Sequence, residues 1–208
     1  MSPTKKLPGV IFVIIGPGGA GKNAIMKAVM AGNPAIRQLA TATTREMRSD
    51  EAPGREHLFV SRERFEQMIA AGELLEYQEV TPGKYYGIPR RSIAAGLAAG
   101  EIRIADIEVL GASILAATFA DNIVQIFVTV PGADTSEQLK VLHKRMRERA
   151  DPYTDIDQRL QRAEALELPY QSQCDYVVVN DSLSAAIDRT RGIIQGELAA
   201  RQLAGAPK

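Results

Sequence analysis

The sequence has little of what secreted, membrane or nucleic-acid-coating proteins need. Its 208 residues include one cysteine, Cys174, so no intrachain disulfide can form and no zinc-binding spacing is present. This favours a reducing, cytoplasmic setting. The longest uninterrupted apolar run, residues 10–15, is far too short to cross a bilayer. Because Gly-Pro-Gly-Gly follows that run in place of a cleavage-type ending, we expect no signal peptide.

An excess of charge of one sign is also missing, because 25 Lys and Arg residues balance 25 Asp and Glu residues. A protein that coats nucleic acid is normally strongly basic, so we expect neither a nucleic-acid nor a membrane partner. The two histidines, His57 and His143, form neither a metal pair nor a catalytic couple. With 45% hydrophobic and 24% charged residues, the composition is typical of a soluble globular protein of one domain, or of one core domain with mobile insertions.

The chain alternates short apolar strands with helical stretches. Continuous runs rich in β-branched residues predict buried strands at residues 10–15, 102–107, 123–130 and 176–179. Apolar spacing predicts helices near residues 24–30, 61–72, 90–99, 109–119, 136–149, 156–168 and 183–203. This alternation predicts an α/β fold with a parallel sheet and right-handed crossovers.

Two regions fit the alternation poorly. Residues 39–88 hold shorter, more polar runs and predict a smaller inserted substructure. Residues 132–162 are dense in Arg and Lys, and residues 150–157 predict a flexible loop between two basic helices. Asp134 and Glu137 have the spacing of a capping-box variant that opens the first of these helices.

The sharpest motif is GPGGAGKN, which runs from Gly16 to Asn23 between a predicted strand and a predicted helix. Gly16, Gly21 and Lys22 match the P-loop pattern. Its glycines let backbone N–H groups turn inward around a phosphate, and the positive end of the following helix points there too. Lys22 adds a mobile cation for the β- and γ-phosphates. A glycine-rich turn that binds nothing is the alternative, but Gly-Lys in register argues against it.

Asn23 stands where the P-loop pattern has a Ser or Thr hydroxyl that binds Mg²⁺. Its amide oxygen is also a neutral donor, but with a different reach, so we expect metal placement to change more than phosphate binding. Asn is also a favoured helix N-cap, an interpretation that is compatible with residual metal binding.

Further motifs follow in a fixed order: TATTREMR from Thr41, GREHLFVS from Gly54, ELLEY around Glu76, KYYGIP from Lys84, Asp106-Ile-Glu, and Val-Val-Asn180-Asp181. Each motif alone is weak. Together, from about residue 9 to residue 194, the ordered set resembles the guanylate kinase family.

This resemblance implies a P-loop NTPase-type parallel sheet flanked by helices, with an inserted GMP-binding substructure and a helical lid. Its core would cover residues 9–38, 98–131 and 163–203. The GMP-binding region would cover residues 39–90, and the lid residues 132–162.

On the acceptor side, the resemblance implies that Arg45 and Arg48 hold the phosphate of GMP. Two guanidiniums three residues apart can form paired charge-assisted bonds to one dianion. Thr41 would contact guanine, and Glu76 would accept from both the N1–H and the exocyclic amine of guanine. Adenine lacks that donor pair and would leave the carboxylate unsatisfied. Taken alone, Glu76 would more readily be an exposed carboxylate. The remaining GMP-binding residues implied are Glu51, His57, Tyr86 and Asp106.

On the donor side, the resemblance implies that Arg145, Arg149 and Arg159 close over the phosphates of ATP and exclude water. Arg145 and Arg149 are four residues apart and share a helix face, which could also be simply solvated. The residues implied to bind ATP are Gly16, Gly18, Gly19, Ala20, Gly21, Lys22, Asn23 and Asn180, the last near the donor base. Those implied to be catalytic are Lys22, Arg45, Arg145, Arg149 and Arg159. Asn23 and Asp106 are the implied Mg²⁺ residues, in part through water.

Several residues depart from the family pattern. His57 stands where the family has a Tyr, and its charge depends on pH. Ile88 replaces a hydroxyl residue, Met47 a Pro and Asp50 a Gly. Extra residues follow Pro131, and Ala150-Asp151 stands where the lid usually has a Gly. The chain therefore resembles a divergent member.

The function that the resemblance implies is ATP-dependent, in-line phosphoryl transfer to GMP or dGMP, with Mg²⁺ as cofactor and no covalent intermediate. His57 and Ile88 motivate one alternative, a kinase for a modified purine monophosphate or another phosphorylated small molecule. Asn23 motivates another, a catalytically weak guanylate-kinase-like binding module. The intact donor-site residues argue against the second. The sequence leaves the oligomeric state open.

Overall fold

The computed structural model describes residues 8–47, 51–55, 57–148 and 156–205. They form two compact units, Met1–Ile11 with Pro34–Val124 and Phe12–Asn33 with Gln125–Lys208. The elements follow in the order β1 (Val10–Ile15), α1 (Lys22–Gly32), β2 (Ile36–Gln38), β3 (Thr41–Thr43), β4 (His57–Phe59), α2 (Arg62–Ala70), β5 (Leu74–Thr81), β6 (Lys84–Pro89), α3 (Arg90–Ala98), β7 (Ile102–Asp106), α4 (Val109–Thr118), β8 (Ile123–Thr129), α5 (Thr135–Glu148), α6 (Ile156–Arg162), α7 (Leu168–Tyr170), β9 (Tyr176–Val179) and α8 (Leu183–Gly205).

The larger sheet has the strand order β2-β7-β1-β8-β9. In the first unit β2 pairs with β7 in parallel, and in the second unit β8 pairs with β9 in parallel. All six residues of β1 and all seven of β8 are buried, as expected for strands that are covered on both faces. The predicted α/β class with a parallel sheet is therefore confirmed.

The first unit also contains a four-stranded sheet with the order β4-β3-β6-β5. Strand β3 pairs with β4 in parallel and with β6 antiparallel, and β5 and β6 form an antiparallel pair. Its core gathers side chains from α2 and two of the strands: Ala42, Phe65, Met68 and Leu74. These four strands and α2 lie in or at the end of the stretch 39–88, where the sequence predicted a smaller substructure and only the helix at α2. The division into a core, a GMP-binding region and a lid stays a prediction.

The basic region of the second unit contains α5 and α6. Asp134 accepts a hydrogen bond from the backbone N–H of Glu137 at 2.9 Å, and the Glu137 carboxylate accepts from that of Ala133 at 2.8 Å. The predicted capping-box variant is thus confirmed. The helical run after Ile156 is interrupted by a π-helical turn, Ala163–Glu167, before α7. Most of the predicted flexible loop, residues 150–155, lies outside the described residues.

None of the helices in the described part of the chain combines the length and the apolar character that a membrane span requires.

Candidate active site

The phosphate loop joins β1 to α1 within the second unit. Gly16 has a φ of 139°, and a side chain there would overlap the carbonyl oxygen of Val128 in β8, so the close approach requires glycine. Gly21 is the N-cap of α1 and has a φ of 97°. No side chain caps α1, and its first turn holds no acidic residue. No acidic side chain of the first turn therefore offsets the positive dipole end of α1, which suits the binding of an anion.

Lys22 is the first residue of α1 and lies back across the loop. Its Nζ donates to the carbonyl oxygen of Gly16 at 2.6 Å and is 3.3 Å from that of Pro17. Asn23 is the second residue of the helix and is exposed. Because Gly21 occupies the N-cap position, the interpretation of Asn23 as an N-cap is wrong.

Asn180 follows β9 and connects the loop with α5. Its side chain is 5% exposed, and its Nδ2 donates to the carbonyl oxygen of Ala20 at 2.8 Å. Its own carbonyl oxygen accepts from Nη2 of Arg145, also at 2.8 Å. The resemblance implied a position near the donor base, but the amide nitrogen is bound to the loop backbone. A cavity of about 300 Å³ opens here, lined by Gly19, Gly21, Arg145, Asn180, Asp181 and Leu183.

The predicted lid arginines of the second unit lie beside the loop where they are described. A Cβ on Gly18 would be 3.8 Å from Nη1 of Arg159, which sets that guanidinium next to the loop. Arg145 contacts Asn180 as above, and Arg149 lies outside the described residues. Among the neighbouring arginines, Arg162 has its Nε 3.3 Å from the Glu167 carboxylate.

In the first unit, Arg45 follows β3 and is held from two sides. Its two terminal nitrogens donate to the two Glu51 carboxylate oxygens at 2.9 and 2.7 Å, and its Nε donates to the Tyr86 hydroxyl at 3.1 Å. Both side chains of the ion pair are 10% exposed. Burial alone would lower the pKa of Arg45, but the hydrogen bonds to Glu51 and Tyr86 outweigh it and raise that pKa. The second predicted phosphate arginine, Arg48, lies outside the described residues.

Strand register brings Thr41 and His57 together. They are partners in the parallel pair β3–β4, and Thr41 Oγ1 lies 2.7 Å from His57 Nδ1. The other ring nitrogen, Nε2, is 3.9 Å from the Glu51 carboxylate. The rings of His57 and Tyr86 meet edge to face at 5.8 Å. Four of the predicted GMP-binding residues therefore lie together with Arg45: Glu51 and Tyr86 are hydrogen-bonded to it, and the Thr41–His57 pair lies beside them.

Glu76 lies on β5 and shares the buried face of that strand with Leu74, two residues away. It is 8% exposed, so the alternative of an exposed carboxylate is wrong. Its Oε2 has no hydrogen-bond partner among the described residues. Burial, with the charge of Glu108 in addition, raises the pKa of Glu76 to about 7. A buried carboxylate in this state is poised to accept N–H donors from a ligand.

Gly111 in α4 contributes to this pocket, and the sequence reasoning missed it. A Cβ there would lie 2.7 Å from Cγ2 of Ile107, 2.9 Å from Oε1 of Glu76 and 3.1 Å from Cδ1 of Ile88. Only glycine leaves room for the carboxylate at this point. The available signal was a glycine inside an otherwise regular helical stretch.

Asp106 ends β7 and is half-buried. Within the described ranges no group of three or more His, Cys, Asp or Glu side chains could hold a metal ion by itself. Asp106 therefore does not belong to a preformed metal cluster made of described residues.

Comparison with known proteins shows the family of this chain. The family description "Guanylate kinase" matches residues 9–197. A guanylate kinase of Desulfitobacterium hafniense is 38% identical over 189 residues, covering 91% of this chain and 90% of the relative. A guanylate kinase of Symbiobacterium thermophilum is 38% identical over 196 residues, covering 93% and 88%.

A crystal structure of guanylate kinase from Anaplasma phagocytophilum superposes with a TM-score of 0.70 and 27% sequence identity, covering 93% of this chain and 88% of that one. The likeness thus holds along nearly the whole chain, in sequence and in fold. The chain belongs to the guanylate kinase family.

Proposed function

We propose that this chain transfers the γ-phosphoryl group of ATP to GMP or dGMP, forming the corresponding diphosphate. The observation that carries the proposal is Glu76, a buried carboxylate whose Oε2 has no hydrogen-bond partner among the described residues. Guanine presents two adjacent donors, N1–H and the 2-amino group, that match the two carboxylate oxygens. Adenine has no donor at N1 and would leave the carboxylate unsatisfied, which is a strong penalty in a buried site.

On the acceptor side, Arg45 supplies the planar, charged fork that suits a phosphate dianion, with Arg48 as its proposed second guanidinium. Glu51 and Tyr86 hold Arg45 in a fixed orientation. Thr41 and His57 form the neighbouring hydrogen-bonded pair and can turn their polar atoms to the nucleotide. This arrangement gives the acceptor orientation that in-line attack needs.

On the donor side, the glycines, Ala20 and the uncapped start of α1 would bind the phosphates through backbone N–H groups. Lys22 would exchange its two carbonyl contacts for the β- and γ-phosphates. Arg145, Arg149 and Arg159 would neutralise charge on the transferring group and exclude water. The transfer forms the new P–O bond as the bridging oxygen leaves with ADP, without a covalent enzyme intermediate.

Mg²⁺ is the proposed cofactor and would neutralise phosphate charge when bound with ATP. Exposed Asn23 offers a neutral amide oxygen, and half-buried Asp106 a carboxylate that acts through water. This small donor set suits Mg²⁺, which keeps several waters and takes most of its remaining ligands from substrate phosphates. We further propose a cytoplasmic location, in keeping with the single cysteine.

A coupled assay of ADP release with GMP, dGMP, AMP, CMP and UMP tests the proposal. We expect turnover with GMP and dGMP and little with the other nucleotides. AMP turnover equal to that of GMP would contradict the role of Glu76. Tight phosphate-acceptor binding without GMP turnover would instead favour a modified purine monophosphate as the substrate.

A further inference from the structure

We propose that Asn180 is a positioning residue of the donor site, which aligns the phosphate loop and the lid arginine Arg145 with each other before ATP binds. The identity of the donor rests on the proposed function above. In this role Asn180 makes no contact with the donor base. It acts through the groups to which its own atoms are bonded.

Asn180 is anchored to the larger sheet through its backbone. The backbone N–H of Asn180 donates to the carbonyl oxygen of Thr129 at 2.8 Å, which ties the residue to the end of β8. Because β8 and β9 form a parallel pair, this end of the sheet is a rigid base for a side chain. Asn180 therefore starts from a fixed backbone position.

The side-chain amide of Asn180 is bonded to the phosphate loop. Its Nδ2 is buried and donates to the carbonyl oxygen of Ala20, in the loop between the two glycines of the P-loop pattern. A Cβ on Gly21 would overlap this same nitrogen, so loop and amide are packed without space between them. The bond fixes the direction of the peptide group after Ala20, and this group carries the N–H of Gly21. An N–H that points into the loop is what a phosphate needs.

The guanidinium of Arg145 donates a hydrogen bond to the backbone carbonyl oxygen of Asn180. Other arginines of the second unit are held by carboxylates, Arg162 by Glu167 and Arg189 by Asp181. A carbonyl oxygen orients a guanidinium without neutralising it, so Arg145 keeps its full charge for an incoming phosphate. A single residue thus directs a loop N–H and a lid cation.

The test compares two buried asparagines that make the same kind of bond. Asn122 is 4% exposed and its Nδ2 donates at 2.6 Å to the carbonyl oxygen of Gly9, which precedes β1, whereas the phosphate loop follows that strand. Asn180→Asp and Asn122→Asp each replace a buried donor by an oxygen that faces a carbonyl. ATP binding is measured by calorimetry in the absence of GMP, and stability by thermal unfolding.

We expect Asn180→Asp to weaken ATP binding about 10-fold or more, the effect of one unsatisfied buried group. Asn122→Asp should leave ATP affinity unchanged, although both variants lose stability. In the coupled assay, the KM for ATP should rise in Asn180→Asp while the KM for GMP changes by less than about 2-fold, because Asn180 acts only on the donor site. Asn180→Ala, which adds no charge, should show the same selectivity if the Asp variant does not fold.

Unchanged ATP affinity in Asn180→Asp, or an equal loss in both variants, would overturn the positioning role. Failure of the positioning role and failure of the proposed function give different results. If the wild type binds ATP but does not phosphorylate GMP, and Asn180→Asp weakens ATP binding, the positioning role is supported and the proposed function is contradicted. A wild-type protein that does not bind ATP overturns both.

Discussion

Replacing Glu76 by Gln should make the protein more stable and a poorer enzyme at the same time. The pKa of Glu76 is raised from 4.5 to about 7, first by burial and then by Glu108. A carboxylate with a raised pKa destabilises the fold when it is ionised. The penalty is absent well below pH 4.5, grows as the pH rises toward 7 and is complete above that. By linkage it amounts to about 1 kcal/mol at about pH 5.5 and about 3 kcal/mol at about pH 8.5.

The Gln side chain has the same shape and no charge, so Glu76→Gln removes this penalty. We expect its free energy of unfolding in urea to exceed that of the wild type by about 3 kcal/mol at about pH 8.5 and by about 1 kcal/mol at about pH 5.5. Glu164→Gln, at an exposed position, is the control and should change stability by less than about 0.5 kcal/mol at either pH.

The kinetic effect of Glu76→Gln should have the opposite sign. Its amide nitrogen would face a donor of guanine, so the KM for GMP should rise about 10- to 100-fold. If Glu76→Gln were no more stable than wild type at the higher pH, the carboxylate would not be desolvated and the reasoning would be refuted. An unchanged KM for GMP would refute its role in recognising guanine.

Three further predictions concern other sites. Arg45→Lys keeps the charge but loses the bidentate contact of the guanidinium, so the KM for GMP should rise about 10-fold in the coupled assay. The control, Arg64→Lys in an exposed ion pair, should have the KM of the wild type. Gly111→Ala should lower the free energy of unfolding in urea by about 1–3 kcal/mol because a Cβ there meets three close neighbours, whereas Gly196→Ala, with open space, should raise it by about 0.5–1 kcal/mol. Burial, with a nearby carboxylate in addition, raises the pKa of Cys174 to about 12. A thiol reagent at about pH 8 should therefore react with Cys174 only after unfolding. Fast reaction in the native state would contradict this and show an accessible thiol.

The sequence was most informative where one short segment determines the local structure. Strand β1 is a continuous apolar run, and the glycines that follow identify the phosphate loop without help from distant residues. Strands β2, β3 and β4 were missed because each has three residues, too few for a period to be recognised. Their strand conformation depends on pairing with segments elsewhere in the chain.

In the candidate site, too, the sequence indicates features set by one short segment and misses those set by contacts between distant segments. The resemblance identified Glu76 by its position in a motif. Its buried position depends on Gly111, a residue of α4 that leaves room for the carboxylate because it has no side chain. Gly16 was predicted to bind phosphate. The sheet requires glycine there as well, because any side chain would overlap the carbonyl oxygen of Val128. Contacts between distant segments are a property of the fold, and no single motif carries them.

The two cations that we propose to bind phosphate, Arg45 and Lys22, both have partners within the protein itself. Arg45 is paired with Glu51, and Lys22 with carbonyl oxygens of its own loop. A ligand therefore binds by exchange, and the bonds it makes must outweigh the ones it displaces. Inorganic phosphate offers charge alone, whereas a nucleotide adds the interactions of its base and sugar. We therefore expect these partnered cations to bind inorganic phosphate only weakly and a nucleotide more tightly.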